Sequence, residues 1–302
     1  MDPRRLLFLH ELARLGSMQR VADELNVTTS TVSQQIAVLG RELRVRLIEP
    51  EGRRVRLTPA GRRLADHAAT ILAAIDAARR DLGSDDPGGT VAVAGFATGI
   101  RHALIPAIRR LAAEHPRITL HVREHEPPEA VEALAAGTVD LALVYDYTLA
   151  PIRFDRTFDV ARLWTAPWSL GVPAQTVDEP FAGLDAPGIV HRYRDHRWIV
   201  NSRNTADEDL LRIMASMAGF EPEIAHRADS LDLVQDLITS GQGIGLLPAD
   251  GPIDPDIRLL PLANPAAVLR AFAVTRRGHT QWAPLAIVRD LLTEPAATAS
   301  VP

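Results

Sequence analysis

The sequence predicts an α/β protein in which a small helical N-terminal domain with a β-wing precedes a larger body of two α/β lobes. Three observations support this fold class. Two short amphipathic helices joined by a tight turn precede a short hairpin, which is the pattern of a winged helix-turn-helix. A long helix and a linker of Gly, Asp, Ser and Pro follow. Strand-like and helix-like segments then alternate over the rest of the 302 residues, which is enough chain for several compact units.

Composition excludes several kinds of chemistry. The chain has no Cys, so disulfides, thiol nucleophiles and cysteine zinc sites are excluded. A hydrophobic content of 46% suits a globular protein, and no run of about 18 apolar residues is present that would span a membrane. The first residues lack the apolar core of a signal peptide. We therefore expect a cytoplasmic location and no membrane partner.

Charge is distributed unevenly along the chain. Residues 1–63 contain 12 Arg and 7 acidic residues, whereas residues 64–302 contain 21 Arg and 31 acidic residues. The first segment therefore has a formal charge of +5 and the second of −10. This asymmetry predicts that only the N-terminal domain approaches a polyanion such as double-stranded DNA.

The first two helices are delimited by residues typical of helix ends. Asp2 and Pro3 indicate the start of the first helix, and Gly16 indicates its end. Its expected buried face is formed by Leu6, Leu7, Leu9, Leu12 and Ala13. Ser17 then caps a second helix, and Asn26 forms the turn that follows it. The apolar face of the second helix is formed by Val21, Ala22 and Leu25.

The third helix has the composition of a DNA-reading element. It is predicted to begin after Thr28 or Thr29 and to run to about Leu43, because its apolar residues recur at helical spacing. The residues expected to point inward are Val32, Ile36, Leu39 and Leu43. The opposite face carries Thr29, Ser30, Ser33 and Gln34. Short hydroxyl side chains permit close approach to the major groove and Gln pairs with base edges, although an ordinary solvated surface has the same composition.

Two further residues of this helix have two interpretations. Thr31 and Gln35 are expected either to contact DNA phosphates or to pack against neighbouring helices.

A hairpin from Val45 to Leu57 is expected to form the wing, with its turn at Glu51-Gly52. Its returning strand is rich in arginine. Arg53 and Arg54 are predicted to contact phosphates or the minor groove, and the alternative is that they are solvated surface charges.

Residues typical of turns and helix ends predict five segments along the chain. They are a DNA-binding domain (1–58), a linker helix (59–83), a flexible linker (84–89), an α/β body (90–294) and a disordered tail (295–302). Thr58-Pro59 opens the linker helix, whose apolar residues recur as in a coiled coil, so we expect it to dimerise. The two lobes of the body are placed at 90–162 plus 268–294 and at 163–267.

The residues resemble those of LysR-type transcriptional regulators over essentially the whole chain. In the N-terminal domain the matching residues are Gly16-Ser17-Met18, Ala22, Leu25, Val27-Thr28, Ser30, Val32 to Ile36, Leu39 and Arg54 to Gly61. In the body they are Leu104-Ile105-Pro106, His115-Pro116, Ala136 to Ala142 and Gly241 to Pro248. The resemblance implies a winged helix-turn-helix, a linker helix and a two-lobed effector domain similar to periplasmic binding proteins. It also implies a homodimer or homotetramer that contacts RNA polymerase.

Three stretches depart from the pattern of this family. The family usually has Glu where Gly40 stands, Gly where Arg44 stands, and Phe-x-Arg where Ile48-Glu49-Pro50 stands. We therefore expect a changed set of phosphate contacts around the wing and retained DNA binding.

The small-molecule effector is expected between the lobes, where strand ends and helix N-termini converge and backbone N–H groups favour an anion. The predicted contacts are Thr98, Gly99, Ile100, Pro127, Tyr145, Asn201, Ser202 and Arg203. Many members place Ser or Thr at position 99, so Thr98 is expected to supply that hydroxyl or the backbone alone to bind the ligand. Ordinary surface-loop roles are the alternative.

These observations predict a regulator and no enzyme, catalytic residue, metal site or cofactor. The sequence contains no zinc-type His cluster, no phosphate-binding Gly-x-x-x-x-Gly-Lys and no Gly-x-Ser-x-Gly elbow. The alternative is a solute-binding or enzymatic α/β domain that carries an accessory DNA-binding domain.

Overall fold

The computed structural model describes residues 1–51, 54–81, 88–177 and 183–293. Its N-terminal domain contains helices α1 (Pro3–Leu15), α2 (Met18–Glu24) and α3 (Thr29–Glu42), and strands β1 (Ile48–Glu51) and β2 (Arg54–Leu57). Helix α4 (Pro59–Asp81) follows. This is the predicted winged helix-turn-helix with its long linker helix.

The ends of these helices follow from the predicted caps. Asp2 Oδ1 accepts a hydrogen bond of 2.9 Å from the Arg4 N–H, and Gly16 ends α1 with a φ of 65°. Ser17 occupies the N-cap of α2 without a side-chain hydrogen bond. Thr28 is the cap of α3, because its hydroxyl accepts from the Thr31 N–H at 3.2 Å.

The prediction that Ala13 and Leu43 belong to the core was wrong. Ala13 is exposed, and Glu11 is buried in its place beside Arg14, with 2.5 Å between Glu11 Oε2 and Arg14 Nη2. Leu43 is 38% exposed, because α3 ends at Glu42 and the chain turns away through Arg44 at a φ of 54°. Leu7 is only partly buried and does not belong to the core cluster, in which α1, α3 and the first half of α4 meet.

The wing pairs Glu51 with Arg54, so Glu51 belongs to β1 and is not part of the turn as predicted. The turn itself, including Arg53, lies outside the described residues. So do residues 82–83 of the predicted linker helix, residues 84–87 of the predicted flexible linker and the tail 295–302. Gly89, the last residue of the predicted linker, already pairs with Ile118 in the sheet.

The first lobe of the body is a sheet covered by helices. Its strands are β3 (Gly89–Gly95), β4 (Ile118–Glu124) and β5 (Leu141–Tyr147), in which β3 lies parallel to both others. The helices are α5 (Ala97–Gly99), which continues as a π-helical turn over Ile100–Leu104, then α6 (Ile105–Glu114) and α7 (Pro127–Ala135). This parallel βαβ arrangement is the one that alternating strands and helices predict.

The sixteen-residue strand β6 (Phe158–Pro173) connects the two lobes. Helices α8 (Ala186–Arg192), α9 (Ala206–Met217) and α10 (Leu231–Thr239) belong to the second lobe. Its other strands are β7 (Arg197–Val200), β8 (Glu223–Arg227), β9 (Ile244–Pro248) and β10 (Ile257–Pro261). The chain then returns to the first lobe as β11 (Val268–Arg276) and α11 (Ala283–Thr293).

The point at which β6 changes lobes is visible in its pairing. Strand β11 pairs with β6 as far as Pro167, and β9 pairs with β6 from Trp168 onward. The spatial order of strands is β4-β3-β5-β11-β6-β9-β7-β8, with β10 also against β6. The cleft between the lobes therefore lies beside β6, at the carboxyl ends of β3, β4, β5 and β7, where ligands bind in open α/β sheets.

Candidate functional site

Helix α3 presents the predicted polar row to solvent. Thr29, Ser30, Ser33 and Gln34 are all exposed. The opposite face, with Val32 and Ile36, is fully buried against the rest of the domain. This arrangement fixes the helix on its scaffold and leaves its hydroxyl and amide groups facing outward.

Thr31 and Gln35, for which two interpretations were open, both make side-chain contacts within the domain. The Thr31 hydroxyl lies 2.9 Å from the Thr28 hydroxyl and so belongs to the cap of α3. Gln35 is half-buried, and its Oε1 accepts from Arg5 Nε at 3.3 Å, which ties α3 to α1. Arg5 also pairs with Glu42. This geometry supports the packing interpretation for Gln35.

Several arginines near the end of α3 were missed in the choice of candidate residues. Arg41, Arg44 and Arg46 are exposed, and within the described part of the chain none of them has a carboxylate at ion-pairing distance. Arg53 lies outside the described residues, and Arg54 lies in β2 with a side chain that is not described. The signal that the sequence offered was Arg44, which stands where the family has Gly.

The substitutions at positions 40 and 44 belong to one structural feature. The Val45 N–H donates to the Gly40 carbonyl at 2.9 Å and the Arg44 N–H to the Arg41 carbonyl at 3.2 Å, which is a Schellman motif. A Cβ at Gly40 would lie 2.9 Å from the Val45 carbonyl oxygen, so glycine is needed there. Arg44 is held in the left-handed region that normally favours glycine. Pro50 is accommodated in β1, where Glu49 forms an ion pair of 2.7 Å with Arg56.

In the body, the segment Thr98–Gly99–Ile100 lies where β3 ends. Thr98 is exposed, whereas Gly99 is buried and Ile100 packs against the main core. A Cβ at Gly99 would lie 2.6 Å from Cε1 of Phe96. The Phe96 ring therefore fills the space that a side chain at position 99 would occupy.

Phe96 is part of a row of aromatic rings, most of them buried in the main core, which was not predicted from the sequence. Ring centroids are separated by 4.8 Å for His102 and Trp164, 6.4 Å for Trp164 and Phe96, and 4.7 Å for Phe96 and Tyr145. The row continues through Tyr147 to Trp168 in the second half of β6, at 6.2 and 5.6 Å. It therefore extends from the first lobe to the crossing point between the lobes.

The N-terminus of α7 is occupied by its own carboxylates. Pro127 is buried at the first helical position, and Glu126 and Glu129 form a capping box in which each side chain accepts from the other residue's backbone N–H. The expectation that this helix end receives an anionic group is therefore wrong, because its free N–H groups already have acceptors.

The loop after β7 is bound to its own lobe by two of the predicted residues. Asn201 Oδ1 accepts from the Asp207 N–H at 3.0 Å. The Ser202 N–H donates to Asp229 Oδ1 at 2.8 Å, and the Ser202 hydroxyl also donates to Asp229. These contacts hold the loop in a fixed shape.

Arg203 reaches from this loop across the cleft to the first lobe. Its guanidinium lies 3.1 Å from Asp229, 3.3 Å from both Glu124 and Glu129, and 3.8 Å from Glu126. The hydrogen bond to Asp229 is the main reason that the pKa of Arg203 is raised above its ordinary value. Tyr145, predicted on the first-lobe side, is buried, and its hydroxyl accepts from Asn204 Nδ2 at 3.0 Å.

Two further contacts cross the cleft and were not predicted. Asn204 Nδ2 also donates to Glu126 Oε2 at 2.6 Å, and the Tyr147 hydroxyl donates to Asp207 Oδ1 at 2.7 Å. Asn204, Glu126, Tyr147 and Asp207 are all buried. Asn204 stands within the predicted polar loop, but its acidic partner is distant in sequence and gave no local signal.

The buried carboxylates of the cleft titrate near neutral pH. Burial raises the pKa of Glu126 to about 7, and repulsion from Asp229 adds to this effect, against the hydrogen bond from Asn204 and the charge of Arg203. Burial likewise raises the pKa of Asp207 to about 7, although the hydrogen bond from Tyr147 opposes it.

The pKa of Asp229 is shifted in the opposite direction. Partial burial raises its pKa, but hydrogen bonds from Ser202 and Arg203 outweigh burial and leave the pKa below its ordinary value. The ionised carboxylate that anchors Arg203 is thus on the second lobe.

Neither a metal site nor a membrane span is found within the residues that the structure describes. No group of three or more His, Asp or Glu side chains there is arranged to hold a metal ion. No helix in the same ranges is long and apolar enough to cross a bilayer.

Two family models match the chain. Residues 3–62 match the bacterial regulatory helix-turn-helix protein, lysR family, and residues 84–297 match the LysR substrate binding domain. Among curated proteins, the chain is 30% identical over 252 residues to the transcriptional dual regulator GltC of Bacillus subtilis, which covers 82% of this chain and 81% of GltC. It is 26% identical over 267 residues to the dual regulator OxyR of Escherichia coli, at 82% and 79% coverage.

Solved structures agree with this fold. A full-length OxyR variant from Pseudomonas aeruginosa has a TM-score of 0.62 at 18% identity and covers 98% of this chain and 99% of its own. CbnR complexed with its target DNA has a TM-score of 0.54 at 21% identity, with 97% and 99% coverage. Together with the family models, these findings show that the chain belongs to the LysR family of transcription regulators, with a helix-turn-helix DNA-binding domain and an effector-binding domain, and is not an enzyme.

Proposed function

We propose that this regulator reads its operator through the exposed row of α3, with Thr29, Ser30, Ser33 and Gln34 at base edges or nearby phosphates. The observation that carries the proposal is that these four side chains are exposed on a helix whose other face is fully buried. A helix that is held rigidly and carries short polar side chains can enter the major groove and contact base edges without rearranging those side chains.

Phosphate contacts come from the arginines that surround this row. Arg41, Arg44 and Arg46 have no acidic partner among the described side chains, so their charge is available to DNA. Arg53 and Arg54 of the wing add to this set, and Thr31 contributes through the cap of α3. Gln35 supports the helix through Arg5.

The effector binds between the lobes. Thr98, Gly99, Ile100, Pro127 and Tyr145 form the first-lobe side, and Asn201, Ser202 and Arg203 form the second-lobe side. The regulator assembles as a homodimer or homotetramer through α4, and effector binding shifts the equilibrium between lobe arrangements that orient the paired α3 helices differently. That reorientation changes DNA bending and contact with RNA polymerase.

The experiment that tests DNA binding is a fluorescence-anisotropy titration of a duplex from the region upstream of the protein's own gene. We expect saturable binding whose affinity falls steeply as salt is raised from about 50 to 200 mM, because phosphate contacts release counterions. Binding that is weak and equal for unrelated duplexes would contradict the proposal.

A further inference from the structure

The ion pairs described between the two lobes converge on one side chain. The interlobe network comprises Glu124, Glu126, Glu129, Tyr145 and Tyr147 of the first lobe and Arg203, Asn204, Asp207 and Asp229 of the second. Within it, Arg203 contacts three carboxylates across the cleft and one carboxylate of its own lobe. It is the element of the network that carries positive charge.

Both faces of the cleft are acidic. The first lobe contributes Glu124, Glu126 and Glu129, and the second contributes Asp207 and Asp229. When these carboxylates are ionised they repel one another across the cleft, and burial makes their repulsion stronger than it would be in water. The guanidinium between the two faces offsets this repulsion, and the hydrogen bonds of Asn204 and Tyr147 add to the closed arrangement.

The anchoring of Arg203 is asymmetric. Its Nε and backbone N–H both donate to Asp229, at 3.1 and 3.2 Å, so the side chain is fixed to the second lobe from two directions. On the first lobe it meets Glu124 and Glu129, whose side chains are 59% and 39% exposed. These two contacts are more solvated than the contact with Asp229, whereas the third first-lobe contact, with Glu126 at 3.8 Å, is buried. The first-lobe contacts are the ones that separate when the cleft opens.

We propose that Arg203 is an internal latch that holds the two lobes together across the cleft in the absence of effector. The latch rests on the proposed function in one respect, namely that the effector enters this cleft. An entering ligand has to displace the guanidinium from the carboxylates of the first lobe. The chemical groups that compete with it there are guanidinium and ammonium cations, because the surface that it contacts is made of carboxylates.

The latch is tested by measuring the separation of the lobes in the full-length chain. The sequence has no Cys, so Glu132→Cys on α7 and Asp232→Cys on α10 create one labelling site in each lobe, both exposed. Pulsed electron paramagnetic resonance on spin-labelled chains diluted with unlabelled chains gives the distance distribution within one subunit. We expect a narrow distribution for the parent and a broader one at longer distance for Arg203→Ala.

Arg212→Ala is the matched control. Arg212 is also an arginine of the second lobe with carboxylate partners, but these partners, Glu208 and Glu221, belong to the same lobe. We expect its distribution to equal that of the parent. An unchanged distribution in Arg203→Ala, or an equal change in Arg212→Ala, would overturn the latch.

Chemical rescue tests the charge of the latch. Ethylguanidinium added to Arg203→Ala is expected to restore the narrow distribution, whereas ethylurea, which is similar in shape and neutral, is expected to leave it broad. Failure of ethylguanidinium to restore it would contradict a latch that acts through carboxylates.

A second variant covers the case in which Arg203→Ala does not fold. Glu124→Gln combined with Glu129→Gln removes two first-lobe charges, and Gln at position 129 still caps α7. This pair is expected to broaden the distribution in the same direction, and a parent-like distribution would count against the latch. The distance measurement requires no DNA, so loss of DNA binding in the parent would contradict the proposed function without affecting this result.

Discussion

The outer face of α3 and the cleft between the lobes differ in whether their polar side chains have hydrogen-bond partners within the chain. On α3, Ser33 and Gln34 point into solvent, and Arg44 nearby has no acidic partner among the described residues. In the cleft, Arg203 and Asn204 are bound by carboxylates of the opposite lobe. One surface leaves its hydrogen-bonding groups for another molecule, whereas the other satisfies them within the chain.

The difference follows from solvation. An exposed hydroxyl or amide exchanges water for a DNA base at little cost, so a recognition surface need not be paired beforehand. A carboxylate such as Glu126, only 5% exposed, has to find donors inside the protein because water does not reach it. A ligand of the cleft therefore competes with contacts that already exist, and a ligand of α3 does not.

The largest expected effect comes from breaking a pair in the cleft. Asn204→Ala removes the amide that donates to Glu126 and to the Tyr145 hydroxyl, leaving two buried acceptors without it. We expect the free energy of unfolding of the body to fall by about 2 kcal/mol, the typical cost of an unsatisfied buried polar group. All four Trp lie in the body, so urea unfolding followed by Trp fluorescence reports on it.

Gln34→Ala is the corresponding change on α3. Since Gln34 is exposed, the stability of the chain is expected to remain within about 0.5 kcal/mol of the parent. Equal losses in Asn204→Ala and Gln34→Ala would remove the contrast between the two regions.

The second effect is a dependence of stability on pH that arises in the cleft. The pKa of Glu126 rises from 4.5 to about 7 on folding, so the folded state binds this proton more tightly than the unfolded state does. Its contribution to stability is complete below pH 4.5 and is lost as pH rises through about 7. Relative to the parent, Glu126→Gln is expected to lose less stability over this interval in urea titrations of the body.

Glu132→Gln provides the control for this pH dependence, because Glu132 is an exposed residue of the same helix, α7. Its stability curve is expected to run parallel to that of the parent. Parallel curves for Glu126→Gln as well would show that the buried carboxylate does not titrate as described.

The smallest expected effect concerns Arg44 at the end of α3. Arg44→Gly relieves a left-handed backbone conformation, which is worth about 1 kcal/mol, so hydrogen exchange of the amides around residues 43–47 is expected to slow. The same change removes one phosphate contact and is expected to reduce the salt slope of DNA binding by about 1.

Arg44→Ala separates the two consequences of that change. Alanine removes the same charge but keeps a side chain at a φ of 54°, so only the salt slope is expected to change. Slower exchange in Arg44→Ala, or an unchanged slope in both variants, would contradict this role for Arg44.

Local signals predicted the DNA-binding domain better than the cleft. Caps at Asp2, Gly16 and Thr28 and the helical spacing of Val32, Ile36 and Leu39 depend only on neighbouring residues. The two wrong core residues, Ala13 and Leu43, stand at positions where the helix face or the helix end decides burial. Such errors are confined to the margins of an element.

The cleft depends on residues that the chain brings together from far apart. Arg203 meets Glu124 because β6 carries the chain from one lobe to the other, and no local pattern encodes that pairing. Strand β6 itself was missed, since Pro167 interrupts its pattern at the crossing. The capping box of Glu126 and Glu129 was visible in the sequence as two Glu at the required spacing, and it would have corrected the expectation of an anion there.

The central claim, that the exposed row of α3 reads DNA, is tested most directly by a ratio of affinities. The ratio is that of the dissociation constants for a shuffled duplex and for the duplex upstream of the protein's own gene. We expect Gln34→Ala and Ser33→Ala each to lower this ratio by about tenfold, because a good contact to a base edge contributes about 1–3 kcal/mol of discrimination. Ser216→Ala, at an exposed position of α9, is expected to leave the ratio at the parent value. A ratio that is unchanged in both α3 variants would contradict the account.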